Sequence, residues 1–515
     1  MIILGLYIGH NASACVIKDG ELLINWELER YTRVKHDFGY NNKFIEKTLE
    51  HCGLTWMDVD IVACNNPKTI TRWREKNDME NPPFLIPTTG GVEYKEFPIS
   101  KYTKGIAVNH HLAHIASAYY TSPYLSSRAI SWDGGGDSEN FATAHCEGNK
   151  INNYQPREKE NIAAYWSSLC FSNYRMKRLH DWDPGSGAGK LMGLSAYGTP
   201  GDAELVHKLK TTLAEAPDPK NFDPRARSFN KDEDLSDTTT SRSQDVAATL
   251  QEYTIRRLRE EIKEMPVGEV NLCYAGGLAL NCIANRDIIN NSQFENLHVP
   301  PFPNDTGLAI GAALYVWHHV LDNLKTTEYF SPYTGPDYKV GTPDVQRVGE
   351  LIRKWKIVAY YEGRSESGPR ALGHRSIFAN PNMPDVRKIL NEQVKHREWY
   401  RPYAPIVPEE YADDCFTDYN KWSPYMQTSA IIKPTFRGHL AGVNHVDNTT
   451  RPQILKKEHN PTLYNIILAS GLPAILNTSF NYQEPIVETP EQAMATAEKM
   501  PIDALVIGEK IYEYK

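Results

Sequence analysis

Cysteine is sparse in this chain: eight in 515 residues, at positions 15, 52, 64, 146, 170, 273, 282 and 415, with no CxxC pair. That scatter excludes zinc knuckles and ribbons built on paired thiols. It reads as free thiols in a reducing compartment, so a cytoplasmic protein is expected. Long apolar runs are missing too: no stretch reaches the roughly 18–20 residues that span a bilayer. The start, Met1-Ile2-Ile3-Leu4-Gly5-Leu6-Tyr7, lacks the basic segment and small-residue cleavage site of a secretory leader. No membrane partner is expected. Positive charge is not in excess either. With 56 Lys+Arg against 64 Asp+Glu the formal charge is −8, which argues against a broad nucleic-acid footprint. Two catalytic signatures are also absent. His110 is followed by His111, not Glu, so the HExxH protease pattern fails. Gly185-Ser186-Gly187-Ala188-Gly189-Lys190 is one spacer short of a P-loop and continues into Leu191, where Ser or Thr should hold magnesium. Lys190 remains a candidate for meeting an anion.

What is present is an α/β pattern. Hydrophobic residues make up 41% and charged residues 23%, and the length implies two to four domains. Ile2–Tyr7 reads as a strand, 9–13 as a turn, Ala14–Ile17 and Glu21–Trp26 as further strands across the hairpin signal Lys18-Asp19-Gly20. The layout recurs: strand 129–132, turn Asp133-Gly134-Gly135-Gly136-Asp137, strand 141–145, turn 147–149. Two matching hairpins point to a duplicated α/β core. Helices are expected over 45–54 and 244–264, strands over 59–64 and 270–274, and loop-rich insertions at 66–100 and 215–243. A shift to Tyr, Pro, Gly, Thr and Asp at 325–345 places a domain boundary near 340, giving domains 1–340 and 341–515. Beyond it a helix (345–354) and a strand (357–361) restart the chain, with buried strands at 472–476 and 504–507.

Asn109-His110-His111-Leu112-Ala113-His114 opens a helix, and residues four apart share a helix face, so His110 and His114 can chelate one metal. Asp133, at a strand end before three glycines, and Asp305, just before the apolar helix 308–316, are the oxygen ligands to complete it. Two His with one or two carboxylates suit Fe(II), Mn(II) or Zn(II). The turns Gly134-Gly135-Gly136 and Gly276-Gly277, the latter leading to Asn281, each follow a strand and can cradle phosphate with backbone N–H groups. In the second domain Arg370, Lys395, Arg397, Arg401, His445, Arg451, Asn477 and Ser479 cluster at strand ends and glycine turns. Arginine matches phosphate or carboxylate through paired N–H donors.

Together these blocks resemble the NodU/CmcH family of ATP-dependent O-carbamoyltransferases. The matching segments are 9–14, 29–36 (Glu-Arg-Tyr-Thr-Arg-Val-Lys-His), 110–114, 189–194, 276–281, 368–376, 401–405 and 476–481. The resemblance implies a duplicated actin-like ATPase (ASKHA) N-terminal domain and a C-terminal YrdC-like α/β domain. It implies carbamoyl phosphate, ATP with Mg and a divalent metal, with Fe(II) favoured and Mn or Zn as alternatives. Arg370, Lys395, Arg401 and Arg451, with His445, Asn477 and Ser479, would hold the phosphates and form carbamoyl-adenylate. The metal at His110, His114, Asp133 and Asp305 would grip the adenylate, with Gly134–Gly136, Gly276, Gly277, Asn281 and Lys190 on the nucleotide. His10 would deprotonate or orient the acceptor, and Lys35 would stabilise the intermediate. The acceptor is an alcohol: a sugar, a natural product, or a hydroxymethyl pyrimidine in a nucleotide or DNA. A homodimer fits the class. The alternative is a kinase or ATPase on the same actin-like fold, which would account for the glycine turns but not for the HxxxH pair or the second domain's arginines.

Overall fold

The computed structural model describes residues 1–65, 82–84, 86–89, 91–177, 186–201 and 233–514. Most of the insertions expected at 66–100 and 215–243, and Gly185, lie outside them. The first sheet holds β1 (Ile2–Tyr7), β2 (Ser13–Lys18), β3 (Glu21–Glu27), β4 (Ile61–Asn65), β5 (Tyr94–Pro98) and β6 (Lys104–Val108), in the order β3-β2-β1-β4-β6-β5. β1 runs antiparallel to β2 and parallel to β4. The second sheet holds β7 (Ser126–Gly136), β8 (Glu139–Glu147), β9 (Lys150–Arg157), β10 (Asn271–Ala275) and β11 (Asn296–His298), ordered β11-β10-β7-β8-β9. β7 is again antiparallel to its hairpin partner β8 and parallel to β10. Each sheet thus sets its first strand between a hairpin ladder and parallel strands, the duplicated α/β arrangement expected from the two hairpins.

Two helices fill the space between these sheets. Leu308–Tyr315 is apolar on every side and buried at every residue, as a helix with no wet face must be. His110–Tyr120 is also buried throughout, and it begins because the Asn109 side chain accepts from His111 N (3.0 Å) and Leu112 N (3.4 Å). The helices cross closely at Gly311, where a β-carbon would stand 2.0 Å from Ala113 O. The core they share takes Ile3, Tyr7 and Cys15 from the first sheet and Ala129, Ala142 and Cys146 from the second. Burying each large aliphatic side chain contributes roughly 1.5–3 kcal/mol, and His110, His111 and His114 are buried beside this core.

The rest of the chain forms β12 (Val358–Tyr361), β13 (Arg375–Ala379) and β14 (Ala404–Pro408), a small sheet of β15 (Phe416–Thr417), β16 (Ala430–Ile432) and β17 (Thr449–Thr450), then β18 (Gln453–Leu455), β19 (Ile475–Ser479), β20 (Ala504–Ile507) and β21 (Lys510–Glu513). The large sheet is ordered β18-β14-β19-β13-β12-β20-β21. Its apolar strands are covered on both faces, as the two separate buried clusters on them require.

The structure moves several expected boundaries: the helix expected over 45–54 runs Asn42–His51 and the one expected over 244–264 begins at Ser241. β7 does not stop before Asp133 but runs through the glycines to Gly136, its register against β8 shifting between Trp132 and Gly136. The reversal falls on Asp137 and Ser138, both at positive φ (51° and 86°), so the three glycines form an irregular strand end rather than the turn. The strand expected at 472–476 is β19, three residues later, because Asn477, Thr478 and Ser479 are drawn into pairing with β13.

Candidate active site

His110 and His114 project from their helix toward Asp133 on β7 and Asp305 in the turn Asp305–Gly307. One ligand atom from each of the four lies within 4.8 Å of all the others. His114 Nε2 stands 3.0 Å from Asp133 Oδ2 and 3.4 Å from Asp305 Oδ1; His110 Nε2 is 4.0 and 3.8 Å from the same atoms. All but Asp133 are almost fully buried. Among the described residues none of the four ring nitrogens makes a hydrogen bond. Buried polar atoms without partners are costly, and two imidazoles and two carboxylates around one point are the donor set of a divalent ion. The four side chains therefore fit a metal, on their geometry alone.

Burial pulls both histidines down. At His114 the two carboxylates outweigh that and raise it to about 9, while His110 stays below its ordinary value. Burial would raise Asp305, but His10, His110 and His114 hold it below the usual carboxylate range. Tyr7 donates to Asp305 Oδ2 at 2.5 Å. Gly277 N donates to Asp133 Oδ2 at 3.0 Å and Gly134 N to Oδ1. The metal-facing carboxylates are thus oriented from behind by this chain's own donors.

Two glycines make the geometry possible. A β-carbon on Gly136 would stand 2.1 Å from His110 Cγ. Gly276 has φ +93° and presses on Trp132 O, which an added β-carbon would meet at 2.2 Å. Its N–H goes to Pro303 O (2.7 Å), tying β10 to the segment that carries Asp305. Gly134 and Gly135 are exposed at the rim.

His10 lies at this site: its Nε2 is 3.4 Å from Asp305 Oδ2 and its side chain is 41% exposed. His36 Nδ1 lies 2.6 Å from Asn11 Oδ1, and Asn11 Nδ2 lies 3.2 Å from His10 Nδ1. That chain sets the proton of neutral His10 on Nε2, toward Asp305. Lys35 lies close enough to the second half of the chain to act on it electrostatically: its charge is felt by Lys395.

Arg370, Arg401 and Arg451 form a second centre. After burial, the charges of Arg451 and Arg401 hold Arg370 down to about 9, and Arg401 also lowers Arg451. The Nε atoms of Arg370 and Arg451 are buried without hydrogen bonds among the described residues. Lys190 joins this group from the first half of the chain through Glu398 (2.8 Å), which also meets Arg401 (3.6 Å). Cationic groups that depress one another and outnumber their carboxylates are prepared for a polyanion.

Other expected phosphate ligands are already engaged. Lys395 Nζ donates to Ser479 O (2.8 Å), Asn481 O (2.8 Å) and Asn481 Oδ1 (2.6 Å), using its three donors. Ser479 Oγ donates to Asn481 Oδ1 (2.7 Å) and Asn477 Nδ2 to Ala371 O (2.8 Å). His445 Nε2 meets Gly193 O at 2.8 Å, and Asn281 caps the helix Cys282–Asn291 while pairing with Gln251. These residues frame the two centres. Sequence reasoning did not single out Tyr7, which reads as one more strand residue, or Asp137, whose Oδ2 accepts from His110 N (2.8 Å).

Comparison with known proteins adds independent findings. The Carbamoyltransferase N-terminus family model matches residues 97–314, and Carbamoyltransferase C-terminus matches 349–514. Nodulation protein NolO of Bradyrhizobium diazoefficiens is 30% identical over 440 residues, covering 78% of this chain and 78% of that one. Nodulation protein NolNO of Sinorhizobium fredii is 28% identical over 97% of this chain and 78% of its own. Among solved structures, the activator of 2-hydroxyisocaproyl-CoA dehydratase from Clostridium difficile, with bound ADPNP, aligns with a TM-score of 0.36 at 14% identity, over 62% of this chain and 96% of that one.

Proposed function

We propose, on the premise that the chain belongs to the carbamoyltransferase family, that it is an ATP-dependent O-carbamoyltransferase with two centres, in domains 1–340 and 341–515. The observation that carries the reading is the convergence of His110, His114, Asp133 and Asp305 on one buried point, which a sugar kinase on the same fold does not need.

In this reading Arg370, Arg401 and Arg451 hold the phosphates of carbamoyl phosphate and ATP. Two polyanions repel, and fixed cations lower the cost of bringing them together. Carbamate, released from carbamoyl phosphate by water with loss of inorganic phosphate, attacks the α-phosphorus of ATP. Pyrophosphate leaves, and carbamoyl-adenylate is the activated donor. At the front centre His110, His114, Asp133 and Asp305 would hold a divalent ion, Fe(II) before Mn(II) or Zn(II). When bound, it supplies Lewis acidity and a grip on phosphate oxygen. Tyr7 and Gly277 fix the carboxylates, and the Gly134–Gly135 rim admits the nucleotide. His10, exposed beside Asp305, orients the acceptor hydroxyl. That oxygen attacks the carbamoyl carbon, AMP departs, and the alcohol's proton passes to the exposed His10 imidazole and on to solvent.

The test is incubation with ATP, carbamoyl phosphate and a panel of sugars, natural-product alcohols and hydroxymethyl pyrimidines. The expected result is pyrophosphate that appears only with carbamoyl phosphate, together with an acceptor heavier by one carbamoyl group. ADP formed without carbamoyl phosphate would identify a kinase instead.

A further inference from the structure

Arg370 sits on a loop whose shape is set from both halves of the molecule. From within, Glu366 Oε1 collects the N–H groups of Leu372 (2.8 Å), His374 (2.7 Å) and Arg375 (3.2 Å), folding the loop around one buried carboxylate. From outside, the first sheet grips the loop's other end. Asn25 Nδ2 donates to Ser367 Oγ (3.0 Å), which returns a bond to Asn25 O (2.9 Å). Glu27, two residues on and so on the same face of β3, accepts from Gly368 N. Arg30 Nη2 donates to Gly368 O at 3.1 Å. Both backbone groups of one residue, two before Arg370, are thus held by side chains more than 330 residues away in the chain.

The grip is buried and tight. Glu27 and Arg30 are 3% and 2% exposed, and Arg30 Nε lies 3.7 Å from Glu27 Oε2. Gly368 has φ +97° and lies against Pro301 O, which a β-carbon would meet at 2.2 Å. Pro301 begins the short segment that ends in Asp305. One glycine therefore touches the hairpin of the first sheet, the segment that leads to the metal-site carboxylate Asp305, and the loop that delivers Arg370.

We propose that Glu27 and Arg30 are positioning residues that set Arg370 in register with Arg451 and with the front centre. Their contacts end on the backbone of Gly368, not on substrate. This inference rests on reading the Arg370 centre as the carbamoyl phosphate site. Arg375 illustrates the contrast: although it shares the motif, its guanidinium donates to Glu362 O (2.6 Å) and Gly363 O (2.9 Å) and stacks on Tyr361, contacts that build the loop.

The test uses the full chain and two readouts: calorimetric titration with carbamoyl phosphate, and steady-state pyrophosphate release. Glu27→Ala frees Gly368 N–H, and is expected to weaken binding and raise KM for carbamoyl phosphate about tenfold, with kcat changed much less. Glu27→Gln keeps an acceptor oxygen and is expected to restore binding to near wild type. Should Glu27→Ala not fold, Arg30→Lys keeps the buried charge but loses the guanidinium fork, and the same rise in KM is expected. A folded Glu27→Ala or Arg30→Lys protein with unchanged affinity and KM overturns the positioning role alone. A wild-type protein that neither binds carbamoyl phosphate nor releases pyrophosphate overturns the reading of the site, and this inference with it.

Discussion

Gly136→Ala tests whether the metal site is built as described. The new β-carbon would stand 2.1 Å from His110 Cγ, 2.3 Å from Cδ2 and 2.5 Å from Nδ1. Carbon atoms in contact sit about 3.5–4.0 Å apart, so the ring must retreat by more than about 1 Å. Metal–ligand bonds tolerate only about 0.2 Å, and His110 cannot yield sideways because its helix is buried along its whole length. The expected result is loss of His110 from the ligand set and a fall in Mn(II) affinity of about 100-fold, measured by titration calorimetry. Overpacking is expected to cost about 1–3 kcal/mol of stability, so circular dichroism should still report a folded protein. Gly134→Ala, two residues away, is the control: nothing lies within 4 Å of its added β-carbon, and its metal affinity should match wild type. Equal affinity in Gly136→Ala and wild type would refute the placement of His110.

Gly276→Ala should destabilise more than Gly136→Ala, because it combines positive φ with a clash against the rigid carbonyl of Trp132; we expect at least about 3 kcal/mol in urea unfolding. His298 is buried, its Nε2 3.1 Å from Thr121 Oγ1, and burial holds it down to about 3 from its ordinary 6.5. The unfolded chain then binds more protons between these values, so stability is lost as pH falls from 6.5 toward 3, by up to about 5 kcal/mol. His298→Gln should flatten that slope in acid-denaturation curves; an unchanged slope would count against it. Chelation should remove about 4 kcal/mol of stability for an ion present at a thousand times its Kd, lowering the thermal midpoint, and abolish transfer. A midpoint and product yield indifferent to chelator would contradict a bound ion.

The parts of this molecule that were legible in the sequence are those written in short-range pattern. β1 and β20 fall where apolar runs begin and end, and the HxxxH spacing alone places two imidazoles on one helix face. Asp133 was readable because it follows an apolar run in front of three glycines, and Asp305 because it stands beside Gly307 just before an apolar helix. The remainder depends on partners far apart in the chain. Asp133-Gly134-Gly135-Gly136 reads as a turn, yet pairing with Glu139 carries the strand through it. Lys395 reads as a free cation, and only the fold brings Ser479 and Asn481 to its ammonium. Glu27 and Arg30 carry no local mark at all of the loop they hold.

The division of labour between the centres is the central claim, and a paired half-reaction assay tests it most directly. Pyrophosphate release and acceptor carbamoylation are followed side by side in Arg370→Ala and His114→Ala. The account predicts that Arg370→Ala loses pyrophosphate release, while His114→Ala keeps most of it, fails to carbamoylate the acceptor and loses bound metal. Loss of the first step alone in both variants, or full transfer by His114→Ala, would contradict it.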